Sequence, residues 1–227
     1  MLKKIYFLPV LVLLWSCSST VKAPATTKIT LPTHKTVAIV PFEIYLGTKL
    51  KKINQFTETE IQELKRYISI ALQGHLYEIL KTKQKRFPFT VSMQSADITN
   101  NILSSKKISF AEIFSGNKKD ICRILGVDAI ISSKTILGKE EKSSFNDVLN
   151  KGSLESFFCI YDSISTEPIW KYNKTISDNM FKDITKSYRP EVYYIAENKY
   201  QEVLIPWISK IEDMFGSFAV DFPYKKK

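Results

Sequence analysis

The stretch from Thr57 to Lys83 constrains the fold more than any other part of the chain. Thr57-Glu58-Thr59-Glu60 is a capping box, in which a threonine hydroxyl and a glutamate carboxylate each satisfy a free amide at a helix start. Behind it Ile61, Leu64, Ile68, Leu72, Leu76, Ile79 and Leu80 recur at helical spacing, so one apolar stripe runs the length of a long helix. Such a stripe must be buried against another layer. That layer begins just ahead of it. Thr36 to Phe42 (TVAIVPF) is a nearly continuous, β-branched apolar run ended by Pro41-Phe42, which predicts a buried strand. A second strand is expected after Pro88, in Phe89 to Met93. Strand, helix and strand in that order imply a right-handed parallel crossover.

The remaining elements follow from caps and turns. Ser95 is placed to cap a short helix through Leu103. Asn117 is placed to cap Lys118 to Leu125, with Gly126 as a left-handed terminator. Val127 to Leu137 (VDAIISSKTIL) opens apolar and β-branched and is expected as the next strand. Polar residues from Gly138 to Gly152 read as a surface loop. Leu154 to Ile164 and Ile169 to Ser177 read as two strands, and Ser165-Thr166-Glu167-Pro168 as their hairpin turn. Val192, Ala196, Tyr200, Val203, Trp207, Ile211 and Met214 mark a helix from Glu191 to Phe215, which Pro206 must kink or divide. Lys225 to Lys227 read as a frayed basic tail. The expected fold class is α/β: a single domain over residues 35–224, with a mixed sheet made of a parallel crossover and a C-terminal antiparallel hairpin, packed by helices.

Ahead of that domain the chain carries an address. Lys3 and Lys4 form a positive n-region, and Ile5 to Leu14 form an apolar stretch of the secretory kind, too short for a stable transmembrane span. It closes on Leu14-Trp15-Ser16-Cys17, which resembles the bacterial lipobox; Trp15 departs from the small residue usual at its position. Residues 1–16 are therefore expected as a lipoprotein signal peptide and Cys17 as the lipid-bearing first residue of the mature chain. An ordinary secretory signal that happens to contain a cysteine is the alternative. Ser18 follows Cys17, where many enteric lipoproteins retained at the inner membrane have aspartate, so the sorting rule implies the outer membrane, with the domain in the periplasm. Residues 17–34, rich in Ser, Thr, Pro and Ala, read as a flexible tether.

The charge is consistent with export. The net charge of +10 falls when Lys3 and Lys4 leave with the signal. A basic surface suits anionic lipids, cell-wall polymers or nucleic acid, but an exported chain does not meet nucleic acid. The lysines are scattered along the sequence, not stacked on one helix face, and read as a solvated coat.

The order of these features resembles a known group. A lipoprotein opens on a TVAIVPF-like strand and a long helix, continues through ICRILGVDAIISSKTI, and closes on a hairpin running from Tyr161 to Trp170. It resembles the broad group that includes the curli-secretion lipoprotein, penicillin-binding-protein activator lipoproteins and the TolB amino-terminal domain. In that group the hairpin often carries a Thr-Gly turn before an apolar-Trp pair. Here Thr166-Glu167-Pro168 replaces the turn, and Ile169-Trp170 supplies the pair. The resemblance implies a binding or adaptor module for a cell-wall or secretion machine, joined to the bilayer through Cys17 and to an envelope protein. A subunit of an oligomeric outer-membrane export assembly is the alternative, and an enzyme a more distant one. The short, charged stretch Gly138 to Gly152 lacks the apolar alternation of a membrane hairpin, which disfavours a pore.

No catalytic, cofactor-binding or metal-binding residue is assigned from the sequence. His34 falls in the tether and His75 on the long helix. Cysteine and histidine do not cluster at zinc-ligand spacing, and no phosphate loop or nucleophile elbow is present. Asp128, Asp162 and Glu167 read as solvated carboxylates at strand ends and turns. Glu43 follows the first strand at the carboxyl end of the sheet, where open α/β folds often bind ligands. Trp170 reads as a core residue. Cys122 and Cys159 read as buried, inert thiols, with a disulfide between them as the alternative.

Overall fold

The computed structural model describes residues 33–47, 56–140, 152–178, 204 and 207–226. The signal, Cys17, the tether as far as residue 32, and the expected helix from 191 to 203 lie outside the described residues.

The first strand, β1 (Thr36–Ile39), is buried on both faces, as its apolar run implies. Val37 and Ile39 enter one core, and Ala38 and Val40 enter a second on the opposite side. Pro41 interrupts the strand without ending it. The chain resumes as β2 (Glu43–Leu46), a strand not expected from the sequence, so Glu43 lies within a strand and not after one. Both segments run parallel to the same later strand, with Ile39 opposite Ile131 and Glu43 opposite Lys134. The upstream chain thus holds one extra residue across the break.

The long helix α1 (Glu58–Arg86) repairs that break. Its capping box is formed, with Glu60 N–H donating to Thr57 Oγ1 and Thr57 N–H to Glu60 Oε2. Ser69 and Gln73 sit fully buried on its apolar stripe, where a polar side chain needs a partner. Ser69 Oγ donates to the Phe42 carbonyl at 2.6 Å and Gln73 Nε2 to the Ile39 carbonyl at 2.8 Å. The two polar residues satisfy backbone groups that the proline break removes from the ladder.

Beyond α1, β3 (Ser92–Gln94) pairs parallel with β1. It starts later than expected because Phe89 and Thr90 pair with Lys225 and Tyr224 at the C-terminus. The expected frayed tail is therefore pinned as far as Lys226, whose N–H donates to the Pro88 carbonyl. Three short helices follow: α2 (Ala96–Ser105), capped by Ser95, α3 (Phe110–Ser115) and α4 (Lys118–Leu125), capped by Asn117. Gly126 ends α4 at φ 66°, the left-handed conformation that glycine adopts without steric cost.

The sheet is completed by β4 (Ala129–Glu140), β5 (Gly152–Asp162) and β6 (Trp170–Asp178), an antiparallel meander. The order is β3-β1-β4-β5-β6, with β2 beside β4. This is the mixed sheet of a single α/β domain. The surface loop expected from Gly138 is shorter than read. Gly138 takes φ 69° and the register shifts there, after which pairing continues through Lys139–Ser153 and Glu140–Gly152. A bulge absorbs the irregularity, and charged side chains do not prevent backbone pairing. Residues 141–151 lie outside the described residues.

A last helix, α5 (Ile208–Asp221), packs with α1 on one face of the sheet. It runs past the expected end at Phe215, bringing Phe218 to within 4.5 Å of Phe158, ring to ring. Phe42 and Phe215 also meet Phe158 edge-on, and Trp170 stacks on Tyr172 and abuts Phe218. Trp170 thus packs against the core, as read. The opposite face is covered by Leu103, Ile113, Ile121, Cys122 and Leu125 from α2, α3 and α4. No helix among the described residues is long and apolar enough to cross a membrane.

Candidate functional site: an open half of the sheet

The helices α2 to α4 cover only part of their face. Ile130 of β4 is buried beneath them, whereas Ser132 and Lys134, next along the same side of β4, are not. On β5 the side chains of Phe157, Cys159 and Tyr161 alternate onto this face. Together with Glu43, Phe114 and Lys118 they line a recess of ≈ 250 Å³. Glu43 does reach this recess, as its position at the carboxyl end of the sheet suggests.

Lys118 anchors the rim. Its ammonium donates to the Ile113 and Phe114 carbonyls at 2.5 and 2.6 Å, closing the C-terminus of α3. Burial pulls its pKa down, and nearby Glu43 opposes that pull. Glu43 Oε1 in turn accepts from the Tyr45 hydroxyl at 2.6 Å, which raises the Tyr45 pKa. Lys134 Nζ stands 4.3 Å above the Tyr45 ring, a cation–π contact. Glu43, Tyr45 and Lys134 thus form one connected patch beside the recess.

The recess offers contact groups, not an activated nucleophile. Burial pushes the Cys159 thiol up, with the Tyr161 hydroxyl and the lysines Lys171 and Lys118 pulling the other way. Burial, then Cys159, raises the Tyr161 hydroxyl to about 12. Both groups are protonated at neutral pH, and a thiol reacts through its thiolate. Burial pushes the thiol of Cys122, on the inner face of α4, up to about 12; the two cysteines are free. Among the described residues no three His, Cys, Asp or Glu side chains converge to hold a metal.

The remaining candidates are taken up by structure. Asp128 is no free strand-end charge. It accepts from the Lys35 and Thr36 amides at 2.8 and 2.9 Å and from Thr36 Oγ1, bonds that hold its pKa below the ordinary range. It staples β1 to β4. Asp162 was expected in solvent, but it is 3% exposed and accepts from the Ile164 and Ser165 amides, an Asx turn that opens the β5–β6 hairpin. Glu167 is exposed in that hairpin. His34, assigned to the tether, is buried within the domain and bonded to Tyr224. His75 faces the Phe215 ring from α1. Cys17 lies outside the described residues.

Sequence reasoning missed Tyr45, Phe114, Lys118, Lys134 and Phe157. A signal existed for Phe157: Glu155, Phe157, Cys159 and Tyr161 alternate against Leu154, Ser156, Phe158 and Ile160, so one face of β5 is legible as less apolar than the other. That helices stop short of it depends on packing far from β5.

No known protein family matches the chain, and no curated protein matches it. Among solved structures it is similar to a lipoprotein from Neisseria meningitidis, at 13% identity over 63% of this chain and 83% of that one, with a TM-score of 0.38. It is also similar to the LpoB C-terminal domain from Salmonella enterica, at 11% identity over 65% and 85% of the two chains, with a TM-score of 0.32. A third is the PelC dodecamer from Paraburkholderia phytofirmans, at 11% identity over 65% and 75%, with a TM-score of 0.34.

Proposed function

We propose that this chain is a lipid-anchored adaptor of the bacterial envelope, attached through Cys17 to the outer membrane, whose periplasmic domain acts by protein–protein contact and not by catalysis. The observation that supports it best is the open half of the sheet. Tyr45 and Phe157 are 41% and 36% exposed there, on strands whose other face is core. Rigid aromatics of this kind, flanked by Lys134 and Lys118, are the groups that anchor protein interfaces. The partner belongs to a cell-wall or secretion machine, and the contacting surface is centred on Phe157.

The test is photo-crosslinking in living cells with benzoylphenylalanine introduced at Phe157, and at Ile98 as an exposed control on α2. The adaptor reading expects one discrete adduct with an envelope protein from Phe157 and none from Ile98. An adduct at twice the mass of the chain supports an oligomeric export assembly instead. Absence of any adduct at Phe157, or the same products at both positions, contradicts the reading.

A further inference from the structure

Lysines scattered in the sequence gather in space at one end of the domain. The strands β1 and β3 both begin there, with Thr36 opposite Ser92, and the helices α1 and α5 both finish there. Lys35 precedes β1, and its carbonyl accepts from the Ser92 amide and hydroxyl. Lys85 and Arg86 close α1, and Arg86 lies over the Phe87 ring. Lys225 lies over the same ring, at 5.5 Å, and Lys226 is held by its amide to Pro88. Three separate stretches of chain thus bring five cations to one rim.

The acidic groups nearby do not neutralise it. Asp128 and Asp162, which accept from backbone amides, make with Asp221 three carboxylates against the five cations. Asp221, at the end of α5, is exposed at the same end. Higher on α1, Glu78 pairs with Lys81. The rim keeps a net positive charge.

The described chain begins at this same rim. Thr33 stands next to His34, which is bonded to Tyr224 beside Lys225. Fifteen residues, Ser18 to Pro32, separate Cys17 from Thr33, so a chain anchored at Cys17 enters the described domain on the side of this rim.

We infer that this rim is an electrostatic docking surface for anionic phospholipid headgroups, which orients the domain with the open half of the sheet directed away from the membrane. The inference rests on the anchoring at Cys17 proposed above. Lys85, Lys226 and Lys35 are exposed and supply charge at the bilayer. The contact is made of solvated charges, so salt weakens it: the screening length falls from about 8 Å at physiological ionic strength to about 3 Å at 1 M.

The experiment uses the full lipidated chain in nanodiscs, either of phosphatidylcholine alone or with about one third phosphatidylglycerol. Lysine acylation rates are read residue by residue by mass spectrometry. Lys35, Lys85 and Lys226 are expected to react several-fold more slowly in the anionic discs, Lys134 at an unchanged rate, and the difference to vanish in 1 M salt. Equal rates in both discs, or slowing that includes Lys134 to the same degree, overturn the docking surface while leaving the anchor intact. A chain that fails to enter discs of either kind overturns the anchor and the docking surface together.

Discussion

His34 Nδ1 and the Tyr224 hydroxyl lie 2.5 Å apart and are separated by 190 residues in sequence. The bond closes the domain on itself, joining His34, two residues ahead of β1, to the segment that follows α5. Both side chains are buried. Changing Tyr224 to Phe leaves a buried imidazole nitrogen without its partner, a loss of about 1–3 kcal/mol. Urea unfolding of the variant should show a lower midpoint with an unchanged slope. A midpoint equal to wild type contradicts the assignment.

Acid should destabilise the domain through its histidines. Burial pulls the His34 pKa below its ordinary value, against the opposing charges of Asp162 and Asp128. Burial also pulls His75 down, against Glu212. The unfolded chain therefore takes up protons before the folded one does as pH falls below about 6.5. Stability from these groups is complete above that pH and is lost as pH falls through the lowered folded-state values. The melting temperature should drop between pH 7 and pH 5, and replacing His75 with Leu should make that drop shallower. A flat or rising profile contradicts the burial of both rings.

Two glycines should respond to alanine in opposite ways. A Cβ on Gly47 would meet the Gly138 carbonyl oxygen at 1.8 Å, backbone against backbone, where β2 runs beside the bulge of β4. Gly47→Ala is expected to cost more than about 1 kcal/mol. Gly74 lies in the middle of α1, and nothing stands within 4 Å of its added Cβ. Gly74→Ala should stabilise by about 0.5–1 kcal/mol. Denaturant midpoints decide both, and a destabilised Gly74→Ala would show that α1 is packed differently there.

The local parts of this architecture were legible and the non-local parts were not. Thr57 with Glu60, and Asn117 with Gly126, are signals confined to a few residues, and each of those helices begins or ends where its cap stands. The box formed by Ser109 and Glu112 is of the same kind, but the six-residue α3 behind it is too short to repeat an apolar stripe. Strand β2 was hidden by Pro41, since the bonds that carry the chain past it come from Ser69 and Gln73, which read only as polar intrusions on a helix stripe. His34 read as tether because its partner is at the far end of the chain. For the candidate site, Glu43 was found by its place at a strand end, while the exposure of Phe157 depends on where α3 and α4 stop.

Both cysteines of the folded domain should be free and slow to react. Alkylation of the native protein at pH 8 should leave Cys122 unmodified, because burial pushes its thiol to about 12, and should modify Cys159 slowly at most. Denaturation should expose both to rapid labelling without a reductant. Labelling that requires a reductant would reveal a disulfide and contradict the thiol assignment.

The anchor at Cys17 supports both the adaptor reading and the orienting rim, and metabolic labelling with a radiolabelled fatty acid tests it most directly. The wild-type chain should incorporate label and sediment with membranes. The Cys17→Ser chain should incorporate none and appear in the soluble fraction. Label retained in Cys17→Ser, or a wild-type chain that carries no lipid, would contradict the account at its base.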